Sequence, residues 1–350
     1  MTVADIPYEE RMAPLHGGYA MIWPFRNLSK GSGPYELFLD NNALARYEWL
    51  KSVDPDMRRS IILNPTLAWA EQWLSNPSFR SNAEYRIGEF IAPFVSAGFL
   101  FPAQYASLQA RSLKKNDAAW RTQWMLVYLY VVLLYRIIKA KKGDDLPEKL
   151  LAGLKNQDVP IFSGCIMLCC LGSYLRSNQN MRLMGDSSAA YSYINSFISL
   201  HGSGKGESEF DENYLRNRVG DLSLWYALGM LMHNGYKPAG ESVLVTQDKV
   251  LIKLILRCFP SYLDSSARMM FTLDERAFDP QHRGAIVERI SATVRAPRPS
   301  TDRQAQQKRM DSLRDYVKQG ADEQLVNAID RVWSDWLTPG FNSSFQPIVT

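Results

Sequence analysis

The run SVLVTQDKVL, residues 242–251, puts an acid where strand signals stop. A β-branched stretch, Val243-Leu244-Val245-Thr246, gives way to Gln247-Asp248-Lys249 and then to an apolar, helix-like segment. In an open α/β sheet, ligands bind beyond the carboxyl ends of the strands, so Asp248 stands where chemistry is done. The alternative is an Asp that caps the next helix. Asp40 closes an earlier strand in the same way, in LFLDNNAL. Glu71 sits in the helical stretch NPTLAWAEQW, and Asp221 heads a long helix in RVGDLSLWYAL. The 4 histidines, His16, His201, His233 and His282, make no His-rich metal site and sit in no recognisable nucleophile motif. Cys165, Cys169 and Cys170 fall in one apolar run and Cys258 stands alone; they read as buried, reduced thiols, not a zinc site. A metal held by this chain would therefore have carboxylate ligands, which points to Mg²⁺ or Mn²⁺. Such ions lower the pKa of bound water and clamp the attacking and leaving oxygens of a phosphodiester. Acids crowded together without a cation would repel one another and raise their own pKa values.

The elements that must position these acids follow from periodicity and breakers. Residues 1–34, with four prolines, read as irregular. Tyr35–Leu39 reads as a strand, 43–52 as a helix, Ser60–Leu63 as a strand and Leu67–Leu74 as a helix entered through Asn64-Pro65. From 76 to 210 the pattern is helical, with candidates at 83–96, 102–113, 117–141, 145–155, 159–177 and 187–200. The segment GSGKGES near 202–208 lacks the spacing of a phosphate-binding loop and reads as a plain loop. A helix over 214–234, the strand carrying Thr246, a strand at 268–273, and helices at 302–318 and 321–337 complete the chain. The expected organisation is an α/β core at 35–75 and 211–275, a helical insertion at 76–210 and a C-terminal helical extension at 276–350.

The four acids in their local contexts resemble the PIN-domain nucleases. A strand closing on Asp with a polar residue two further on, a Thr-Leu-Ala-Glu-like helix (here TLAWAE), an Asp at a helix start and a strand ending in Thr-x-Asp occur here in chain order. The resemblance implies a PIN-like parallel sheet flanked by helices. It implies Asp40 and Asp248 as central ligands of Mg²⁺ or Mn²⁺, Asp221 as a further or water-mediated ligand, and Glu71 as a ligand or orienter of water. Asn42 and Thr246 would hold the carboxylates. The implied activity is endonucleolytic hydrolysis of RNA, with products bearing 5′-phosphate and 3′-hydroxyl ends, in the manner of a toxin or phage-defence effector. A structure-specific DNA nuclease and a non-catalytic interaction module on an α/β core are the alternatives.

Arg216, Arg218 and Lys249 flank these acids in sequence and are candidates to hold the phosphate backbone; the alternative is ordinary surface charge. Asp211 and Glu212 are candidates for an additional acid. A net charge of +4 permits a polyanionic partner without demanding one. Homo-oligomerisation or an inhibitory protein partner fits the same reading. The apolar run Trp124–Ile138 is interrupted by Arg136 and is shorter than the ~20 residues a membrane span requires. With no signal-peptide pattern at the N-terminus, a cytoplasmic location is expected.

Overall fold

Two strands are buried on both faces, and the sheet is built around them. In Glu241–Thr246 every residue after the first is buried, and in Tyr35–Leu39 every residue after the first is buried. Strands buried on both faces in this way belong at the centre of a parallel sheet. The computed structural model describes residues 5–28, 30–141, 143–199, 212–233, 235–264, 268–295 and 302–337. In chain order its elements are β1 (Met12–Pro14), β2 (Ala20–Ile22), β3 (Tyr35–Leu39), α1 (Asn41–Ala45), β4 (Ile61–Asn64), α2 (Thr66–Ser75), α3 (Pro77–Ser81), α4 (Ala83–Ser96) and α5 (Tyr105–Lys115). Next come α6 (Asp117–Lys139), α7 (Leu146–Asn156), α8 (Ser163–Ser177), α9 (Ala190–Ile198) and α10 (Glu212–His233). After β5 (Glu241–Thr246) follow a π-helical turn (Leu251–Ile255), α11 (Leu256–Cys258), β6 (Ser261–Leu263), β7 (Met269–Phe271), α12 (Pro280–Thr293), α13 (Arg303–Lys318) and α14 (Glu323–Leu337).

The chain divides into two compact units. The first holds residues 1–120 and 220–272; the second holds 121–219 and 273–346. The division falls inside α6 and α10, whereas the sequence places it near 76 and 210. The difference has a packing cause. Trp69 of α2 is fully buried, stacked on Phe79 of α3 at 6.0 Å and against Phe90 of α4 at 5.7 Å. Its indole N–H also donates to Tyr105 Oη of α5 at 3.4 Å. Helices α3–α5 thus complete the core of the sheet unit.

The five-stranded sheet runs β1-β2-β5-β3-β4. Strands β5, β3 and β4 are parallel, with Leu37 paired to both Val243 and Leu63. Strands β2 and β1 add antiparallel, Ala20 opposite Thr246. The expectation that 1–34 is irregular is therefore corrected: β1 and β2 are three residues each, too short to show alternation. The helix expected over 43–52 is also corrected. Arg46 is extended (φ −129°, ψ 94°) and separates α1 from a 3₁₀ segment, Tyr47–Ser52. The strand expected at 268–273 forms, but it pairs with β6 in a separate two-stranded sheet. No helix was expected between 273 and 302; α12 occupies it, capped by Asp279 with Pro280 at its first position.

In the first unit, Gly240 meets the backbone at the entry to β3. A Cβ there would lie 2.4 Å from the carbonyl oxygen of Pro34. Backbone cannot step aside as a side chain can, so Gly240→Ala is expected to destabilise the β3–β5 pairing by about 2–4 kcal/mol. Loss of amide-exchange protection in β5 measures it.

The second unit is helical. The apolar run of α6 and nearly all of α8 are buried, Cys165, Cys169 and Cys170 included, and all four cysteines are free thiols. Buried Arg136 donates to the carbonyl of Val317 at 2.8 Å. Among the described residues no helix is long and apolar enough to cross a membrane.

Candidate active site at the carboxyl edge of the sheet

Asp40 is the first residue after β3, and Thr246 is the last of β5, the strand beside it. Both therefore leave the sheet at the same carboxyl edge. Asp40 caps α1: its Oδ1 accepts the Ala43 N–H at 2.6 Å. Its Oδ2 accepts the Thr246 hydroxyl at 2.5 Å. The same Thr246 Oγ1 accepts the Asp248 N–H at 3.0 Å. One buried hydroxyl thus ties the two acid-bearing turns together. Asp248 Oδ1 in turn caps the π-helical turn, accepting the N–H groups of Val250 (2.6 Å) and Leu251 (2.9 Å).

Asp40 retains some solvent contact, yet its carboxyl is packed among protein atoms, and this raises its pKa from 3.8 to about 6. Burial is the largest cause. The hydrogen bonds from Thr246 and from the Ala43 N–H oppose it, and the neighbouring Asp248 charge adds to it.

Glu71 is brought to this unit's edge by the near-complete burial of α2. Leu67, Ala68, Trp69, Ala70, Trp73 and Leu74 all face inward, leaving Glu71 and Gln72 on the half-exposed face. Gln72 Nε2 donates to Asn41 Oδ1 at 3.3 Å, next to Asp40. The Glu71 carboxyl lies against Gly220 of α10, the residue preceding Asp221: a Cβ on Gly220 would approach Glu71 Cδ to 2.5 Å. Asp221 is inside α10, which begins at Glu212, and does not head it as expected. An interior position excludes the capping role for Asp221.

The four acids are therefore disposed as two pairs, Asp40 with Asp248 and Glu71 beside the residue before Asp221. Among the described residues no group of three or more His, Cys, Asp or Glu side chains is arranged to hold one metal ion. The donors fit Mg²⁺ or Mn²⁺ in kind, since all are carboxylate oxygens, while the set is not closed around one point.

Of the holding residues, Thr246 bonds both turns, whereas Asn42 is exposed and contributes its backbone carbonyl, which accepts Tyr19 Oη at 3.1 Å. Arg216 and Arg218 belong to the second unit and are engaged there. Arg216 bonds Asp335 at 2.7 Å and lies over the Trp336 ring; Arg218 lies over Tyr214 at 4.4 Å and Phe197 at 5.3 Å. Lys249 is exposed. Asp211, the side chain of Glu212 and the GSGKGES segment lie outside the described residues.

Sequence reasoning missed Tyr19, Gln72 and Gly220. Only Gly220 left a signal, as a lone glycine inside a helical pattern, which points to close packing. Gly220→Ala offers a direct check on that contact. Ala favours a helix interior by about 1 kcal/mol over Gly, and the Glu71 side chain can swing aside. The expected result is unchanged or raised thermal stability with a displaced Glu71, read from melting together with divalent-ion affinity.

The second unit contains clefts of about 570, 480 and 460 Å³, lined by residues such as Arg182 and His282, Tyr174 and Arg289, and Arg176 and Tyr191. None of these three is lined by the four acids. The acid edge holds instead Asp40, whose pKa burial raises, and the Thr246 hydroxyl that joins it to the Asp248 turn, the combination expected of a site that does chemistry. Compared with protein-family models, curated proteins and solved structures, the chain matches none.

Proposed function

We propose that this chain is a divalent-metal-dependent endonuclease acting on RNA, with a PIN-like core formed by the sheet unit. The observation that carries the reading is the Thr246 hydroxyl joining Asp40 and Asp248 at the carboxyl ends of two adjacent parallel strands. Asp40 and Asp248 would hold Mg²⁺ or Mn²⁺, and Glu71 and Asp221, which do not join them in one ligand group among the described residues, would act through water. When bound, the ion supplies an activated water and neutralises charge on the leaving oxygen. Thr246 fixes the Asp40 carboxylate by donating to Oδ2, and the caps on Oδ1 of both acids fix their rotation. Burial raises the pKa of Asp40 in spite of the hydrogen bonds it accepts from Thr246 and Ala43, and a bound cation would favour its charged form. RNA as the substrate, 5′-phosphate and 3′-hydroxyl products, a cytoplasmic setting and a role as a toxin or phage-defence effector follow the family resemblance. An inhibitory protein partner or self-association fits such a role.

A second reading has its own observation. Asp40 and Asp248 both cap helical turns, which is sufficient to explain their presence in a non-catalytic α/β interaction module. The two readings part in one experiment. Purified protein is titrated with Mn²⁺ in a calorimeter and incubated with labelled RNA and DNA panels in Mg²⁺, Mn²⁺ or EDTA. Saturable Mn²⁺ binding and RNA cleavage abolished by EDTA support the nuclease. Cleavage in EDTA, or absence of both binding and cleavage, overturns it; preferential cutting of DNA replaces the substrate and keeps the site.

A further inference from the structure

We propose that Arg46 and Lys249 form the phosphate grip of the acid edge, holding the nucleic-acid backbone on the two sides of the Asp40–Asp248 pair. The proposal rests on the nuclease reading and names the groups that let a polyanion reach that site. Two neighbouring carboxylates repel a phosphodiester, so a substrate must be drawn in by cations within about a Debye length, ~10 Å at 0.1 M salt. The arginines adjacent to Asp221 in sequence are engaged by Asp335, Trp336, Tyr214 and Phe197. In the sheet unit, other arginines are also occupied: Arg58 bonds the Ala97 carbonyl at 2.9 Å and Arg80 the Trp73 carbonyl at 3.2 Å.

Arg46 and Lys249 differ. Both are exposed, and among the described residues neither side chain forms a hydrogen bond or ion pair. Both leave from backbone that is pinned at the site. The Arg46 N–H donates to the Asn42 carbonyl at 2.9 Å, and that same oxygen accepts the buried Tyr19 hydroxyl at 3.1 Å. The chain at Arg46 is thereby fixed just past the short helix that Asp40 caps. The nearby acid on this segment, Glu48, is turned against Gly17, where a Cβ would lie 3.0 Å from Glu48 Oε2. Lys249 follows Asp248 directly, inside the turn whose N–H groups the Asp248 carboxylate caps. One cation therefore issues from the segment after β3 and the other from the segment after β5, and these strands are neighbours, spaced ~4.8 Å apart. Arg46 offers a planar fork suited to two phosphate oxygens; Lys249 offers a point charge.

The test measures binding and turnover of the full chain. Asp40→Asn protein, which keeps both cations, is titrated against a fluorescent single-stranded RNA 20-mer over a range of salt, with and without Arg46→Ala and Lys249→Ala. Each alanine is expected to weaken binding about 3- to 10-fold, alike for all sequences, and to reduce the slope of log K against log salt by about 0.7. Arg46→Lys should restore most of the slope and less of the affinity. In otherwise wild-type protein the same substitutions should raise KM by a similar factor with little change in kcat, and melting should be unchanged because both positions are exposed. Wild-type cleavage with unaltered affinity and slope in the Arg46→Ala/Lys249→Ala double variant overturns the grip and leaves the nuclease reading intact. Absence of metal-dependent cleavage in the wild type overturns the nuclease reading itself, and the grip with it.

Discussion

Asp40→Asn is expected to abolish metal-dependent cleavage, a loss of at least about 10³-fold, while leaving the protein folded. The substitution separates the two roles this residue holds. As a helix cap, Asn performs about as well as Asp, since its Oδ1 can still accept the Ala43 N–H, now 2.6 Å from Asp40 Oδ1. As an anionic ligand, Asn removes the charge on which affinity for Mg²⁺ or Mn²⁺ depends. If capping were the whole function, the variant would match the wild type in cleavage and in Mn²⁺ binding. The pH dependence of stability in EDTA gives a second signature. The folded-state pKa of Asp40, about 6, lies above its ordinary 3.8, and burial is the main cause. Between these values the native state binds more protons than the unfolded chain. This group's contribution to stability is therefore complete below about pH 4 and is lost as pH rises through 6. At two units the contribution is at most about 3 kcal/mol, and it is smaller where water reaches the carboxyl. Asp40→Asn should flatten this part of the profile. Added Mn²⁺ should raise the melting temperature of the wild type at pH 7 and leave the variant unmoved. Equal Mn²⁺ stabilisation of both proteins would sink the assignment of Asp40 as a ligand.

The largest stability loss is expected at Glu36, a residue with no part in the proposed chemistry. Glu36 is 1% exposed in the middle of the sheet. Its Oε1 accepts Asn64 Nδ2 at 2.6 Å and the Tyr236 hydroxyl, and its Oε2 accepts the Ala239 N–H at 2.8 Å. Asn64 Nδ2 also reaches Tyr236 Oη at 2.8 Å. Burial, and next the hydrogen bond to Glu36, push the Tyr236 hydroxyl's pKa up, so it stays a donor at every ordinary pH. The carboxylate thus stitches β3 to the end of β4 and to the turn leading into β5. Glu36→Ala leaves three donors without their acceptor, each costing ~1–3 kcal/mol when buried, and a net loss of about 3–5 kcal/mol is expected. Glu36→Gln keeps one acceptor and sets an amide N–H₂ against another donor, a loss of about 1–2 kcal/mol. Because the chain has two compact units, a single unfolding curve mixes them. Exchange protection of the β3 and β5 amides reports the effect where it occurs. Protection in Glu36→Ala within 1 kcal/mol of wild type would show that the network contributes little.

Much of the frame was legible in the chain. The apolar runs of β3, β4 and β5, the helix Thr66–Ser75 and the long helices α6, α8 and α10 are strong local patterns, and they formed within a few residues of their expected places. Asp40 and Asp248 were legible for the same reason, because an acid that ends an apolar strand is a local event. What was not legible depended on distant partners. β1 and β2 are strands only because β5 offers an unpaired edge. Glu36 reads in sequence as the polar member of YELFL, and only the convergence of Asn64, Tyr236 and the Ala239 N–H makes it a buried anchor.

The sequence by itself determined which residues are acids at strand ends, that imidazole and thiolate ligands are scarce, and that strands and helices build an α/β core. The tertiary structure decided the rest, because it depends on which elements become neighbours. It placed β3 beside β5, so that Thr246 could join Asp40 to Asp248. It drew Arg216 and Arg218 into the packing of the second unit and left Arg46 and Lys249 exposed next to the two turns. It set Glu71 against Gly220, a contact that 148 residues of intervening chain conceal. Local propensity reaches only a few residues along a chain, whereas the site is made by burial and register, which bring together segments more than 200 residues apart.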